Sequence, residues 1–156
     1  MTNSAGPLTF RRAVETDLPA IVGLLSDDSL GRTREEAILP LHPGYIAGFH
    51  AVNDDPHQLL SVAVLDDTVI GTLQISFIHG VAQRGVKRGQ IEAVRVDSSL
   101  RGQGIGQRYL DWAIQQCRDN GCGFVQLTMN KSRKDTHRFY ERIGFTATHE
   151  GFKLYF

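Results

Sequence analysis

Two cysteines in 156 residues, Cys117 and Cys122, are too few for a disulfide framework, and no CxxC pair offers zinc its ligands. The histidines show neither HExxH nor HxxxH spacing, so no metal is expected. No apolar stretch is long enough to span a bilayer, and the opening "MTNSAGPLTFRR" lacks the apolar run of a secretory leader. A reduced, cytoplasmic protein without membrane contact is the expectation. The 17 basic side chains are matched by 17 acidic ones, so the excess positive charge of a nucleic-acid binder is missing, and no nucleic acid is expected. Repeats, linkers and low-complexity tracts are absent as well. The length then suits one domain, 1–156, around a single core.

What charge there is lies unevenly. Residues 1–78 carry 4 Lys and Arg against 10 Asp and Glu, whereas residues 79–156 carry 13 against 7. An anion is favoured in the second half and a cation such as an ammonium in the first, unless both are simply solvated surfaces.

Residues 8–13, "LTFRRA", read as a strand. Leu18, Ile21, Val22 and Leu25 then recur at helical spacing, with Thr16 or Asp17 as N-cap and Pro19 in the first turn. Pro40 and Pro43 predict a broken helix with loops between Gly31 and His57. Two β-rich runs meet at Asp66-Asp67 as a hairpin. "GVAQRGVKRG" is a basic loop, "QIEAVRV" a strand, and "GQRYLDWAIQQCRDNG" a helix stopped by Gly121. "GFVQLTM" gives a strand and "KDTHRFYERIG" a helix stopped by Gly144, with "FTATH" and "FKLYF" as closing strands. The order β-α-α-β-β-β-α-β-α-β-β implies an α/β (α+β) fold with a mixed sheet and helices on both faces.

Three alternating glycines, Gly102, Gly104 and Gly106, stand between strand "VRV" and a helix. A dinucleotide fingerprint needs G-x-G-x-x-G and a P-loop needs G-x-x-x-x-G-K-[ST], and both fail on spacing. The physics survives that failure. A glycine turn feeding a helix presents free amides and the positive end of the helix dipole, and Arg101 adds a full charge. A pyrophosphate suits such a site, since successive amides grip both phosphates.

The run Arg101-Gly102-Gln103-Gly104-Ile105-Gly106 resembles the acetyl-CoA pyrophosphate loop, Q/R-x-x-G-x-G/A, of the GNAT N-acetyltransferase superfamily. "IEAVRV" (91–96) is similar to that family's bulged central strand, and "THRFYERIGF" (136–145) to its Phe-Tyr helix followed by Gly-Phe. The resemblance covers roughly residues 60–156. It implies the GNAT fold, a mostly antiparallel sheet of six to seven strands, and transfer of the acetyl group of acetyl-CoA to a primary amine within a ternary complex. The expected acceptor is a small-molecule amine. A peptide lysine or N-terminus, or a non-catalytic acyl-CoA-binding module, stand as alternatives. Small members often form homodimers, and the resemblance implies that a homodimer is open to this chain.

The resemblance also assigns roles. Main-chain groups of Val94, Arg95 and Val96 would pair with the pantetheine arm, and residues Arg101 to Gly106 would hold the pyrophosphate. Tyr140, beside Phe139, would donate its hydroxyl to the departing thiolate; otherwise it is a core aromatic. Asn130 matches a family asparagine that contacts pantetheine, but its gap to Tyr140 is wider than the common pattern, and Arg133 lies nearer the usual place. Lys131, Arg133, Lys134 and Arg138 would meet a 3′-phosphate, or form a solvated basic helix start.

Glu92 interrupts an apolar strand, where a carboxylate is costly unless paired or facing a cleft. It is the candidate base, with an ion pair to Arg95 or Arg84 as the competing role. Simple alternation places Glu92, Val94 and Val96 on one face and Ile91, Ala93 and Arg95 on the other. His42, His50, His57 and His79 are candidates for acceptor binding or proton relay.

Overall fold

The computed structural model describes residues 6–156, so the N-terminal reading falls partly on residues 1–5, outside the described residues. The chain divides into two compact units, the described part of Met1–Gln126 and Leu127–Phe156.

The first unit is built on a sheet of order β1-β2-β3-β4-β5: Thr9–Arg12, Gln58–Leu65, Thr68–Ile78, Arg88–Val96 and Phe124–Leu127. The first four strands pair antiparallel. Asp66 and Asp67 both take positive φ (48° and 60°) in the two-residue turn that joins β2 to β3, the geometry a right-twisted hairpin favours. Helix α1 (Leu18–Ser26) and helix α2 (Pro43–Asp54) cover one face. There Ala13, Leu18, Ile21, Phe49 and Val62 form a buried cluster. A single irregular turn, α3 (Ala82–Gly85), precedes β4. Helix α4 (Ile105–Asp119) connects the neighbours β4 and β5 and covers the other face, the kind of crossover that parallel strands need. Its Tyr109, Leu110, Ala113 and Cys117 are fully buried. The Tyr109 hydroxyl lies 2.8 Å from Ser61 Oγ, its ring stacks on Phe10 at 5.0 Å, and burial raises the hydroxyl above its ordinary pKa.

Three expectations change. The sheet has five strands, not six to seven: among the described residues neither 145–149 nor 152–156 is a strand. The β-propensity of "FKLYF" is insufficient without a partner strand, and Phe152, Leu154, Tyr155 and Phe156 are exposed. Pro43 starts a helix instead of breaking one. It occupies the first turn, where its missing N–H costs nothing, and His42 Nδ1 caps Gly44 N at 3.0 Å. Asp17 stands at the N-cap of α1, but its carboxylate accepts from no helix amide. It takes Val14 N (2.9 Å) and both guanidinium nitrogens of Arg11 (2.7 and 3.0 Å).

The second unit holds α5 (Lys134–Ile143) between irregular segments. Gly144 (φ 107°) ends it: Gly144 N reaches Glu141 O and Phe145 N reaches Tyr140 O, each at 3.0 Å. This is a Schellman cap.

Candidate active site

A bulge sets the geometry of β4. Gln74 lies opposite Glu92, yet Thr72 lies opposite Arg95, so one residue of β3 faces two of β4. Ala93 takes up the extra length at φ 53°, a conformation costly for any residue but glycine. The parity of the strand therefore flips. Glu92 shares a face with Arg95, and Ile91 with Val96, correcting the simple alternation that joined Glu92 to Val96.

Arg95 thereby points to the α1 side, where its guanidinium meets Asp28 at 3.5 Å. Glu92 makes no ion pair with Arg95 or Arg84; it is exposed, on the face that carries α1 and α2. On its outer side β4 adjoins β5 only along its first half, since Gly123 N bonds Lys87 O (2.8 Å) and Gln126 bonds Gln90 (2.7 Å). From Ala93 to Val96 β4 keeps β3 on its inner side, while on the outer side no strand lies alongside among the described residues.

That stretch runs directly into the glycine loop. Asp97 N is anchored on Ile70 O at 2.8 Å, while its carboxylate accepts from Ser99 N (2.8 Å) and Ser99 Oγ (2.6 Å), which hold its pKa below the usual range. Gly102 (φ 79°) and Gly104 (φ 76°) are left-handed, and a Cβ on either would enter open space. Their glycine character thus answers to backbone conformation and leaves the approach clear. Gly104 is the N-cap of α4, and the first intrahelical bond is Arg108 N to Gly104 O (3.1 Å). The amides of Ile105, Gly106 and Gln107 precede it and have no helical acceptor. Arg101 and Gln103 are exposed beside them, and Ile105 is buried as the loop's anchor.

In the second unit, Thr136, Phe139, Tyr140 and Ile143 make up the less exposed face of α5. Tyr140 meets Phe139 at 5.5 Å and Phe145 edge-on at 5.8 Å. The Phe-Tyr-x-x-x-Gly-Phe pattern is therefore also a helix stop, with the tyrosine and the last phenylalanine as its apolar clasp. Asn130 Oδ1 accepts from Ser132 N (3.0 Å) and Ser132 Oγ (2.8 Å) in a local turn, and Arg133 occupies the N-cap position of α5 without a side-chain capping bond.

The histidines do not converge. His42 caps α2, His50 lies 3.2 Å from Glu15, and His57 meets His79 edge-on at 5.1 Å. Among the described residues no three His, Cys, Asp or Glu side chains group as a metal site. A broad groove of about 840 Å³ opens beside Asp97, lined also by Asp27, Arg32, Glu35 and Glu36; it includes neither Glu92 nor Gln74. Gln58, Gln74, Gln90 and Gln126, which no motif marks, hydrogen-bond in pairs across the sheet. Their signal is polar residues at period two, as in Gln74-Ile75-Ser76 and Gln90-Ile91-Glu92.

The family model of the acetyltransferase (GNAT) family matches residues 25–145, and the chain belongs to that family. Aminoalkylphosphonate N-acetyltransferase of Salmonella typhimurium is 31% identical over 102 residues, 65% of this chain and 66% of that protein. The chain thus spans just under two thirds of that relative. Among solved structures, a protein of Bacillus halodurans C-125 described as a transcriptional regulator superposes with TM-score 0.93 at 42% identity, over 96% of this chain and 100% of that one. Aminoglycoside N-acetyltransferase AAC(6')-Iy, solved in complex with CoA, superposes with TM-score 0.77 at 15% identity, over 99% and 97%, and so shares the fold.

Proposed function

We propose that this protein transfers the acetyl group of acetyl-CoA to the primary amine of a small molecule, with residues 1–156 acting as one catalytic domain in the cytoplasm. The observation that carries the reading is one of continuity. The outer edge of β4 from Ala93 to Val96, with no strand beside it among the described residues, runs straight into a loop of left-handed glycines and the free amides of α4.

Each part suits a different portion of the donor. The edge of Val94, Arg95 and Val96 would take the pantetheine amides as a strand takes a neighbour. Gly102 to Gly106, with Arg101 at the rim, would take the pyrophosphate through amides and helix dipole. Bound there, acetyl-CoA supplies an activated acyl group. The bulge at Ala93 re-aims the peptides beside Val94, so that an amide of this stretch would polarise the thioester carbonyl. Glu92, exposed and uncommitted, would accept the proton that the amine loses, directly or through water, as the N–C bond forms and the C–S bond breaks. Tyr140 would return a proton to the sulfur. Phe139, Asn130 and Arg133 remain assigned to the coenzyme by resemblance alone. A homodimer is compatible with this scheme and is not required by it.

Thiol release from acetyl-CoA across a panel of small amines and lysine peptides tests the reading. Release is expected with a small amine. Tyr140→Phe should lower kcat with little change in coenzyme binding, and Glu92→Gln should remove the acidic limb of the kcat/KM profile. A second reading draws on the Bacillus halodurans structure described as a transcriptional regulator: a module that binds acyl-CoA without turnover. Tight coenzyme binding without thiol release from any amine would favour it.

A further inference from the structure

The face of the sheet that carries α1 and α2 changes character along its strands. Under the helices it is apolar, with Leu60, Val62 and Val64 packed against Leu18, Ile21 and Phe49. Beyond Leu60 it becomes a field of side-chain amides. The register aligns Gln58, Ser76 and Gln90 in one row across β2, β3 and β4, and sets Gln74 beside Glu92 in the next. Residues opposite each other in an antiparallel ladder share a face, so these five lie together. Gln126 of β5 joins the row by donating its Nε2 to Gln90 Oε1 at 2.7 Å.

The amides are held in place. Gln74 Nε2 donates to Gln58 Oε1 at 2.7 Å, Ser76 Oγ reaches the same oxygen at 3.5 Å, and Gln58 Nε2 donates to Asp55 Oδ2 at 3.0 Å. Asp55 is itself fixed by His57 N at 2.8 Å. Every glutamine keeps capacity beyond these bonds. Gln74 and Gln126 each retain a carbonyl oxygen and one N–H, and Gln90 retains both N–H groups. The row thus offers donors and acceptors mixed over four strands, and the charges beside it are the carboxylates of Glu92 and of Asp55, the latter bonded to Gln58. Arg88 stands further along the same strand face, but its guanidinium lies against Gly80.

We propose that this row is the floor of the acceptor site, and that the acceptor is an amine carrying several hydroxyl groups, an amino sugar or amino polyol. The inference rests on the transferase reading above and names its substrate class. Hydroxyls both donate and accept, so they match ordered amides, whereas an ammonium alone would use only the acceptors. A phosphonate or phosphate beside the amine would meet Glu92 with no cation in the row to offset it. Glu92, one row nearer the bulge, stands where the amine of such a molecule would lie.

The test is thiol release from acetyl-CoA with glucosamine, cyclohexylamine and 2-aminoethylphosphonate, using the full chain. Glucosamine is expected to give the highest kcat/KM. Gln74→Leu and Gln90→Leu should each raise the KM for glucosamine about tenfold, a loss of one or two hydrogen bonds, while KM for acetyl-CoA and for cyclohexylamine stays unchanged. The exposed Gln126→Ala, which leaves the packing intact, should raise KM for glucosamine by a smaller factor. Preference for cyclohexylamine or the phosphonate, or glutamine variants that leave the glucosamine KM unmoved, would overturn the amide floor while keeping the transferase. Absence of thiol release with every amine tried would overturn both.

Discussion

Tyr109 and Tyr140 stand one in each unit. Tyr109 is fully buried, stacked on Phe10 and hydrogen-bonded to Ser61, which lies 48 residues away in sequence. Tyr140 is half-buried, and the rings described beside it, Phe139 and Phe145, belong to its own helix and that helix's cap. The same contrast holds throughout. All the buried apolar residues, from Ala13 to Cys117, belong to the first unit, while residues 127–156 contain none. One unit is shaped by long-range burial and the other by local bonds. The division parallels the roles proposed for each, donor binding for the glycine loop in one and proton return by Tyr140 on a capped helix in the other.

Truncating a core side chain sharpens this contrast most. Leu73 is fully buried in β3, and Leu73→Ala should cost about 2–5 kcal/mol in urea unfolding. Phe139→Ala on the half-buried face of α5 should cost about 1 kcal/mol, the area term of a partly exposed ring. Equal costs would mean that α5 is held by burial after all.

The same contrast explains what could be read from the sequence. Helices α1 and α4 were legible because burial imposes a period, and the two-residue hairpin because Asp66-Asp67 tolerates positive φ. The glycine turn into α4 was legible because Gly102 and Gly104 take left-handed φ that other residues resist. The bulge at Ala93 was not, since alanine gives no warning of φ 53°, and with it went the true facing of Glu92 and Arg95. The two closing strands failed for the opposite reason: propensity predicts a strand, but only a partner makes one. The amide row was invisible until the register aligned four strands.

Glycine positions give the next largest effect. Gly89 lies in β4 opposite Phe77, and a Cβ there would run into Cys117 Sγ from α4. Burial raises that thiol to a pKa of about 12, with further help from Cys122, so Cys117 is a packing group and no nucleophile. Gly89→Ala should cost about 1–3 kcal/mol by overpacking. Adding Cys117→Ala should recover part of that loss in the double variant, and additive losses would show that the contact is not the cause.

Charge pairs extend the comparison. Asp17 is buried, and its pKa is held below the ordinary value chiefly by the Arg11 hydrogen bonds, with the Val14 amide adding to them. A carboxylate depressed in the folded state contributes its full stability above its unfolded pKa, near 4, and loses it as pH falls through the folded value. Asp17→Asn should therefore cost about 1–3 kcal/mol at pH 7 and progressively less towards acid. Stability curves of wild type and variant that stay parallel from pH 7 to pH 3 would refute the assignment.

In the second unit the cap should matter and the ion pair should not. Gly144 adopts φ 107°, so Gly144→Ala adds backbone strain of about 1 kcal/mol and weakens the two bonds that close α5. Lys131 and Glu150 meet at 3.0 Å, but both side chains are more than two-thirds exposed. Water solvates such a pair nearly as well apart as together, and ordering two long side chains offsets the remaining attraction. Glu150→Gln should leave the unfolding midpoint unchanged within error, at low and high salt alike. A salt-dependent loss would give the pair a role that its exposure denies. Paired with a silent Gly144→Ala, that result would reverse the account of what holds residues 127–156 in shape.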